Sequence, residues 1–392
     1  MAVLGTNVSS GRGVMRGLLS ARLGPGWTLE TVDIARTGRS LVPFKGLFKR
    51  ADGIVARGAD MLEKLAPIVS PDVPVVAVDT SPDELGGAAA RLPWAYVGCE
   101  QRRVGEAAAD ELLATGRKHF AFVPMLRRYV WTRPRGDAFL SKIRAAGFDA
   151  RQYEPVSAWS WIGERVRLAE FLAGIPRPFG IFAGNDLLAK FALDACKAAG
   201  VKVPQDAAIV GADDDDTICL SSLPSLSSVR IDFEGAGRRA VADLLALVGT
   251  KRPDVASTGR YGVFGVVRRG STAATAPGLD PRIAAGLDFI ALQFVDPLLG
   301  VADVAAAMGT GSRQAERLFT ETGKTIRRHV EDRRVDEACA LLAATRATAK
   351  SIAARCGFSS DIYFSAVFRR RFGCSPGQWR ERAVRKAGAA GA

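Results

Sequence analysis

Along the first 270 residues, short β-branched runs alternate with longer stretches whose apolar positions recur every three to four residues. Segments 2–6, 53–56, 74–78, 94–97, 119–123, 180–183 and 207–211 have the length and composition of strands. Segments 105–115, 137–146, 187–199 and 234–248 carry one apolar face each and predict helices. Repeated strand–helix alternation implies parallel sheets covered by helices. In such sheets ligands sit beyond the carboxyl ends of the strands, so the loops there are the first places to look for a site. At 270–279 the chain reads GSTAATAPGL, and the periodicity stops. It resumes from Ile283 as helices alone, which divides the chain into a part at 1–270, a linker at 271–281 and an all-α part at 282–385, with an unstructured tail at 386–392.

Within the all-α part, Val301, Val304, Ala305 and Met308 mark one buried helical face. Glycines at 309–311 allow a tight turn, and Ala315, Leu318 and Phe319 mark the next helix, with Ser312 as its expected N-cap. Helix, glycine turn, helix is the geometry that presents a second helix to the major groove. The exposed face of that helix carries Arg313, Gln314, Glu316 and Arg317, and Arg and Gln suit guanine and adenine edges. About 50 residues later the pattern returns. Ile352, Ala353 and Cys356 pack one helix, 357–360 turn the chain, and Tyr363, Phe364, Val367 and Phe368 mark the buried side of a helix at 361–371. A long helical pattern at 325–344 joins the two units.

Composition sharpens this picture. The chain has 392 residues and a net charge of +13, which favours a polyanionic partner. Residues 281–392 hold 18 Lys and Arg against 11 Asp and Glu, so net positive charge per residue is about three times higher there than upstream. The six cysteines are scattered without a Cys-x-x-Cys pair, as expected of reduced thiols in the cytoplasm. With only two histidines, His119 and His329, no metal site and no cofactor are expected. Apolar runs are too short to span a membrane, and the first residues lack the pattern of a secretion signal. The stretch at 11–17, GRGVMRG, superficially matches a dinucleotide-binding turn, but its third glycine is one residue late. A nucleotide-dependent enzyme is therefore disfavoured. A small-molecule-binding protein without specific DNA recognition remains the other alternative, and the basic C-terminal part argues against it.

The segments IAARCGF, YFSAVFRRRFG and SPGQWR stand at the spacing of the AraC family of transcription regulators, whose DNA-binding domain residues 282–385 resemble. The resemblance implies base contacts from Arg313, Glu316 and Arg317 in the first unit and from Asp361, Ile362 and the position of Ala366 in the second. That family usually has Arg where Ala366 stands, which puts base reading by the second unit in doubt. Arg369, Arg370 and Arg371 are expected to hold phosphates, which positions a protein on DNA without reading sequence.

Residues 1–270 resemble the two-lobed type I periplasmic-binding-protein fold that LacI-type repressors use as a sensor. The carrying segments are GRKHFAFV at 116–123, AAGVKVPQDAAIVGADD at 198–214 and LPSLSSV at 223–229. The resemblance implies a small effector, a monosaccharide such as the pentose xylose, held between two α/β lobes. The loops after the strands supply partners for sugar hydroxyls: Ser10, Arg12, Arg57, Arg135, Asn185, Asp186, Asp213 and Asp215, with Trp131 for C–H faces. Arg135, Asp186 and Asp213 hold the positions where LacI-type sensors contact effectors. Asp186 is also a candidate N-cap for the following helix, and Trp159 and Trp161 suit either the cleft or the core. The run of aspartates at 213–216 suits a solvated loop better than a cation site. The combined resemblance further implies a cytoplasmic homodimer on a double-stranded operator, activating carbohydrate-use genes with RNA polymerase as a possible partner.

Overall fold

The structure is a computed structural model that describes residues 2–4, 9–21, 26–33, 41–125, 131–156, 161–254, 256–272, 280, 282–344 and 347–389. Most of the expected linker at 271–281 and Trp159 lie outside the described residues, as does the side chain of Trp161.

The first lobe is built in chain order from β1 (Ala2–Leu4), α1 (Ser9–Ser20), β2 (Thr31–Asp33), α2 (Lys45–Lys49), β3 (Ile54–Arg57), α3 (Ala59–Leu65), β4 (Val75–Val78), α4 (Gly87–Ala90) and β5 (Ala95–Cys99). The second follows with α5 (Gln101–Leu113), β6 (His119–Val123), α6 (Thr132–Ala145), β7 (Asp149–Gln152), α7 (Trp161–Ala173), β8 (Phe179–Ala183), α8 (Asp186–Ala198), β9 (Ala207–Ala212), α9 (Asp216–Cys219) and β10 (Ser227–Ile231). Then α10 (Phe233–Leu247) and β11 (Ser257–Tyr261) return to the first lobe, and β12 (Val263–Val267) goes back to the second. The chain thus passes three times between sheets ordered β11-β5-β4-β3-β1-β2 and β12-β10-β9-β8-β6-β7. All strands are parallel except β12, which runs antiparallel to β10.

Strands β4, β8 and β9 are buried along their whole length. Helices cover both faces of a parallel sheet, so its central strands read as continuous apolar runs, and these are the strands that periodicity detects. Strands β2, β7 and β11 escaped it because they are short or carry exposed polar residues at sheet edges, as in Asp149, Arg151 and Gln152. Strands β10 and β12 escaped too, β10 for its serines and Arg230.

The glycine run at 11–17 lies inside α1, not in a strand-to-helix turn. A Cβ on Gly17 would sit 2.1 Å from the Glu234 carbonyl oxygen and 2.9 Å from the Gly237 Cα. These glycines let α1 and α10 pack backbone to backbone, which gives the motif a packing role.

The all-α part comprises α11 (Arg282–Gln293), α12 (Val301–Ala307), α13 (Ser312–Thr320), α14 (Ile326–Ala344), α15 (Ala349–Arg355), α16 (Asp361–Phe372) and α17 (Pro376–Ala389). Ile283, Val304, Met308, Leu318, Phe319 and Val330 form one core. Val335, Leu342, Ile352, Phe364 and Phe368 form a second. Helix α14 contributes to both, so each helix-turn-helix unit is fixed to the same rod. Residues 386–389 continue α17, where an unstructured tail was expected from 386; the lysine and two alanines there are strong helix formers.

Candidate effector cleft and DNA-reading helices

Two ion pairs face each other at the carboxyl ends of the two sheets. In the first lobe Arg57, the last residue of β3, donates to Asp79 Oδ2 at 2.8 Å and to the Ser10 hydroxyl. Tyr261, ending β11, donates to Asp79 Oδ1 at 2.9 Å. In the second lobe Arg135 on α6 donates to Gln101 Oε1 at 2.6 Å and to the Gly184 carbonyl at 2.7 Å, and lies 3.5 Å from Asp213. The Arg135 guanidinium sits 4.7 Å from the centre of the Trp131 ring. Burial pushes the Asp213 carboxyl up to about 6, opposed by Arg135, while Asp79 adds to the rise from across the cleft. Arg57 Nε is buried without a hydrogen-bond partner among the described residues. A buried donor left unpaired costs free energy, so the cleft favours a ligand that brings an acceptor.

Arg12 in α1 reaches Asp215 of the other lobe at 3.4 Å. The Arg12 side chain is 38% exposed, and a pair of this kind is worth roughly 0–1 kcal/mol. It is too weak to decide by itself whether the lobes stay closed.

Other expected contacts have structural employment. Asn185, not Asp186, N-caps α8, its side chain accepting from Leu188 N at 3.0 Å. Asp186 is buried and holds the loop after β9, accepting from Asp215 N at 2.7 Å and from the Ser228 hydroxyl at 2.5 Å. Burial and neighbouring Asp213 raise its carboxyl well above the usual range. Asp215 caps α9 through Thr217 N. Among the described residues no cluster of three or more His, Cys, Asp or Glu side chains could hold a metal ion.

Sequence reasoning missed Asp79, Gln101 and Tyr261. Asp79 follows β4 directly, so the rule of inspecting loops after strands could have found it. Tyr261 ends a strand without an apolar pattern and gave no such signal.

The loop carrying Asp213 also faces the helical part. Asp214 accepts from Arg230 Nε and from Arg269 Nη2, both at 2.6 Å. Burial works against its charge, but Arg269 and Arg230 outweigh this and hold the carboxyl at about 2. Arg230 also donates to Glu337 of α14 at 2.7 Å, and Glu337 in turn accepts from Arg333 at 3.0 Å. Nearby, Asp288 of α11 accepts from the backbone amides of Ser225 at 3.3 Å and Gly270 at 3.2 Å.

In the first helix-turn-helix unit, α13 buries Ala315, Leu318 and Phe319 and exposes Arg313, Gln314, Glu316 and Arg317. Gly311, not Ser312, occupies the N-cap position, and it makes no side-chain cap bond. In the second unit, Ser360 caps α16 by accepting from Tyr363 N at 3.1 Å. Two arginines expected to hold phosphates are exposed but paired with carboxylates of α14. Arg370 donates to both oxygens of Glu331 at 2.6 Å, and Arg371 donates to Asp332 at 2.8 Å and Asp336 at 2.9 Å. Asp361, Ile362, Ala366 and Arg369 remain exposed.

Residues 109–272 match the family of periplasmic binding protein-like domains, and residues 304–382 match a helix-turn-helix domain family. The chain is 27% identical to the xylose operon regulatory protein of Haemophilus influenzae, over 73% of this chain and 74% of that one. It is 25% identical to the protein of the same name in Escherichia coli K12, over 84% of each. Its fold is similar to the solved structure of the xylose-binding transcription activator xylR, with a TM-score of 0.57, 22% identity and 97% of both chains covered. The chain thus carries a periplasmic binding protein-like domain match followed by a helix-turn-helix domain match, and over most of its length it is similar to the xylose operon regulatory proteins.

Proposed function

We propose that the chain is an effector-controlled activator of carbohydrate-use genes, with a sensor at 1–270, a linker at 271–281 and a DNA-binding module at 282–385. The effector is a monosaccharide, a pentose such as xylose, bound between the lobes. The buried Nε of Arg57, without a hydrogen-bond partner among the described residues and beside Asp79, opposite Arg135 and Asp213, carries this reading. A pentose offers acceptors for the guanidinium groups, donors for the carboxylates and C–H surface for Trp131. Arg12 contributes from the cleft rim, whereas Asn185 and Asp186 shape the loops instead of touching the sugar. The curated relatives' names refer to a xylose operon, which supports this choice of effector.

The protein works as a cytoplasmic homodimer, each module laying Arg313, Gln314, Glu316 and Arg317 into a major groove of a double-stranded operator and contacting RNA polymerase when bound. Among the described residues no helix is long and apolar enough to cross a membrane, which agrees with this placement. Effector acts only through its differential affinity for two lobe arrangements.

A thermal-shift screen of aldopentoses, hexoses and unrelated metabolites tests the effector. Stabilisation by a pentose in the wild type, lost in Asp213→Asn, is the expected result. A protein stabilised only by a non-sugar metabolite would sink the sugar reading.

A further inference from the structure

The two recognition helices expose different side chains at the middle of their outward faces. On α13 the outward positions are polar: Arg313, Gln314, Glu316 and Arg317. On α16 the polar side chains near the N-terminus are exposed but already engaged within the module. Asp361 accepts from the backbone amide of Ile362 at 3.1 Å, and the Tyr363 hydroxyl donates to Glu331 at 3.1 Å. Arg370 is held by the same Glu331.

At the middle of the exposed face, opposite the buried Phe364, Val367 and Phe368, runs the stripe Ile362, Ala366 and Arg369 at helical spacing. Ile362 is 80% exposed. A lone exposed isoleucine is ordinary on a protein surface. Here it stands on the first turn of a recognition helix with Ala366 one turn behind it and a cation beyond, the place and order of a base contact followed by a phosphate contact.

In the major groove only thymine offers an apolar group, its C5-methyl; the other bases show donors and acceptors. A short apolar stripe leaves those polar edges unsatisfied and gains only from methyl groups. We propose that the second helix-turn-helix unit reads thymine by methyl contact through Ile362 and Ala366, with Arg369 on a flanking phosphate. The unit that has Ala366 in place of an arginine is thereby a sequence reader of a different kind. The inference rests on the proposed operator binding by the module that carries both units.

The test uses full-length protein with effector and duplexes selected from a random pool. Each thymine of the selected site is replaced by deoxyuracil, which removes the methyl and nothing else. One or two thymines in the segment served by α16 should lose about three- to fivefold in affinity, the scale of one buried methyl. Ile362→Ala should abolish that sensitivity at one of them while melting at the wild-type temperature. Reselection with Ala366→Arg should replace a thymine preference by guanine. Uracil tolerated everywhere, or methyl sensitivity unchanged in Ile362→Ala, overturns the proposal. A pool with no enriched sequence overturns operator recognition itself, and this proposal with it.

Discussion

Arg230 of the sensor bridges Asp214 and Glu337, holding the loop next to the cleft with Nε at 2.6 Å and helix α14 of the DNA-binding part with Nη1 at 2.7 Å. Asp213, the residue before Asp214, faces the cleft. Any shift of that loop when the lobes rearrange is passed by charge-assisted hydrogen bonds to the helix that carries both DNA-reading units. Removing the charge of Glu337 should therefore uncouple the sites without destroying either. In Glu337→Gln, effector affinity should stay within about twofold, while the effector-induced change in operator affinity falls by about fivefold or more. Calorimetry with the sugar and fluorescence anisotropy with operator DNA measure the two. An unchanged ratio would show that coupling runs elsewhere.

Effector affinity should depend on pH through Asp213. Its carboxyl titrates at about 6, raised by burial against the pull of Arg135. A sugar hydroxyl donates to the ionised form, so affinity should fall by up to about tenfold per pH unit below that value. The stability sign is opposite. A carboxyl raised on folding favours the folded state below its unfolded value of about 4, and this contribution is lost as pH rises through about 6. Titrations between pH 5 and 7.5 should show the affinity loss, and an affinity flat over that range would contradict the role given to the Asp213 carboxylate.

Arg317 and Arg370 should behave differently although both are exposed arginines on recognition helices. Arg317→Ala should weaken operator binding by about 1–3 kcal/mol and relax sequence preference. Arg370→Ala removes a bidentate contact to Glu331 and should act on the module, lowering its melting temperature with a smaller effect on specificity. Equal specificity losses in both variants would contradict the assignment of Arg370 to the module.

Gly357, in the turn of the second unit, has φ +75° and lies against α11's trailing loop, where a Cβ would come within 2.3 Å of the Phe294 carbonyl oxygen. Gly357→Ala combines left-handed backbone strain with a backbone clash. Destabilisation of the module by about 2–4 kcal/mol is expected, read by chemical denaturation. A loss below about 0.5 kcal/mol would mean that the turn can shift freely.

The two helical units were legible because their cores repeat the same apolar spacing across a glycine turn: Ile352, Cys356, Phe364, Phe368 in the second, Val304, Met308, Leu318, Phe319 in the first. The central strands were legible as continuous apolar runs, and the loops behind them pointed to Arg57, Arg135 and Asp213. Local pattern could not separate Asn185 from Asp186, since which of two neighbouring polar residues caps a helix depends on one backbone torsion. Nor could it foresee that Arg370 and Arg371 pair with Glu331, Asp332 and Asp336, because those partners lie 35–39 residues earlier and meet them only once both helices pack. Tyr261 reaches Asp79 across 182 residues, a relation that only the sheet order creates.

Helix α14 is buried in both cores, through Val330 on one side and Val335, Ala338 and Leu342 on the other. One residue inserted into it would rotate the second unit by about 100° against the first. Substitutions on α13 or α16 leave that phase untouched. The two reading surfaces can thus drift apart in chemistry over generations, one polar and one apolar, while the distance and angle between their target bases stay inherited. Operators for this architecture should vary in letters before they vary in spacing.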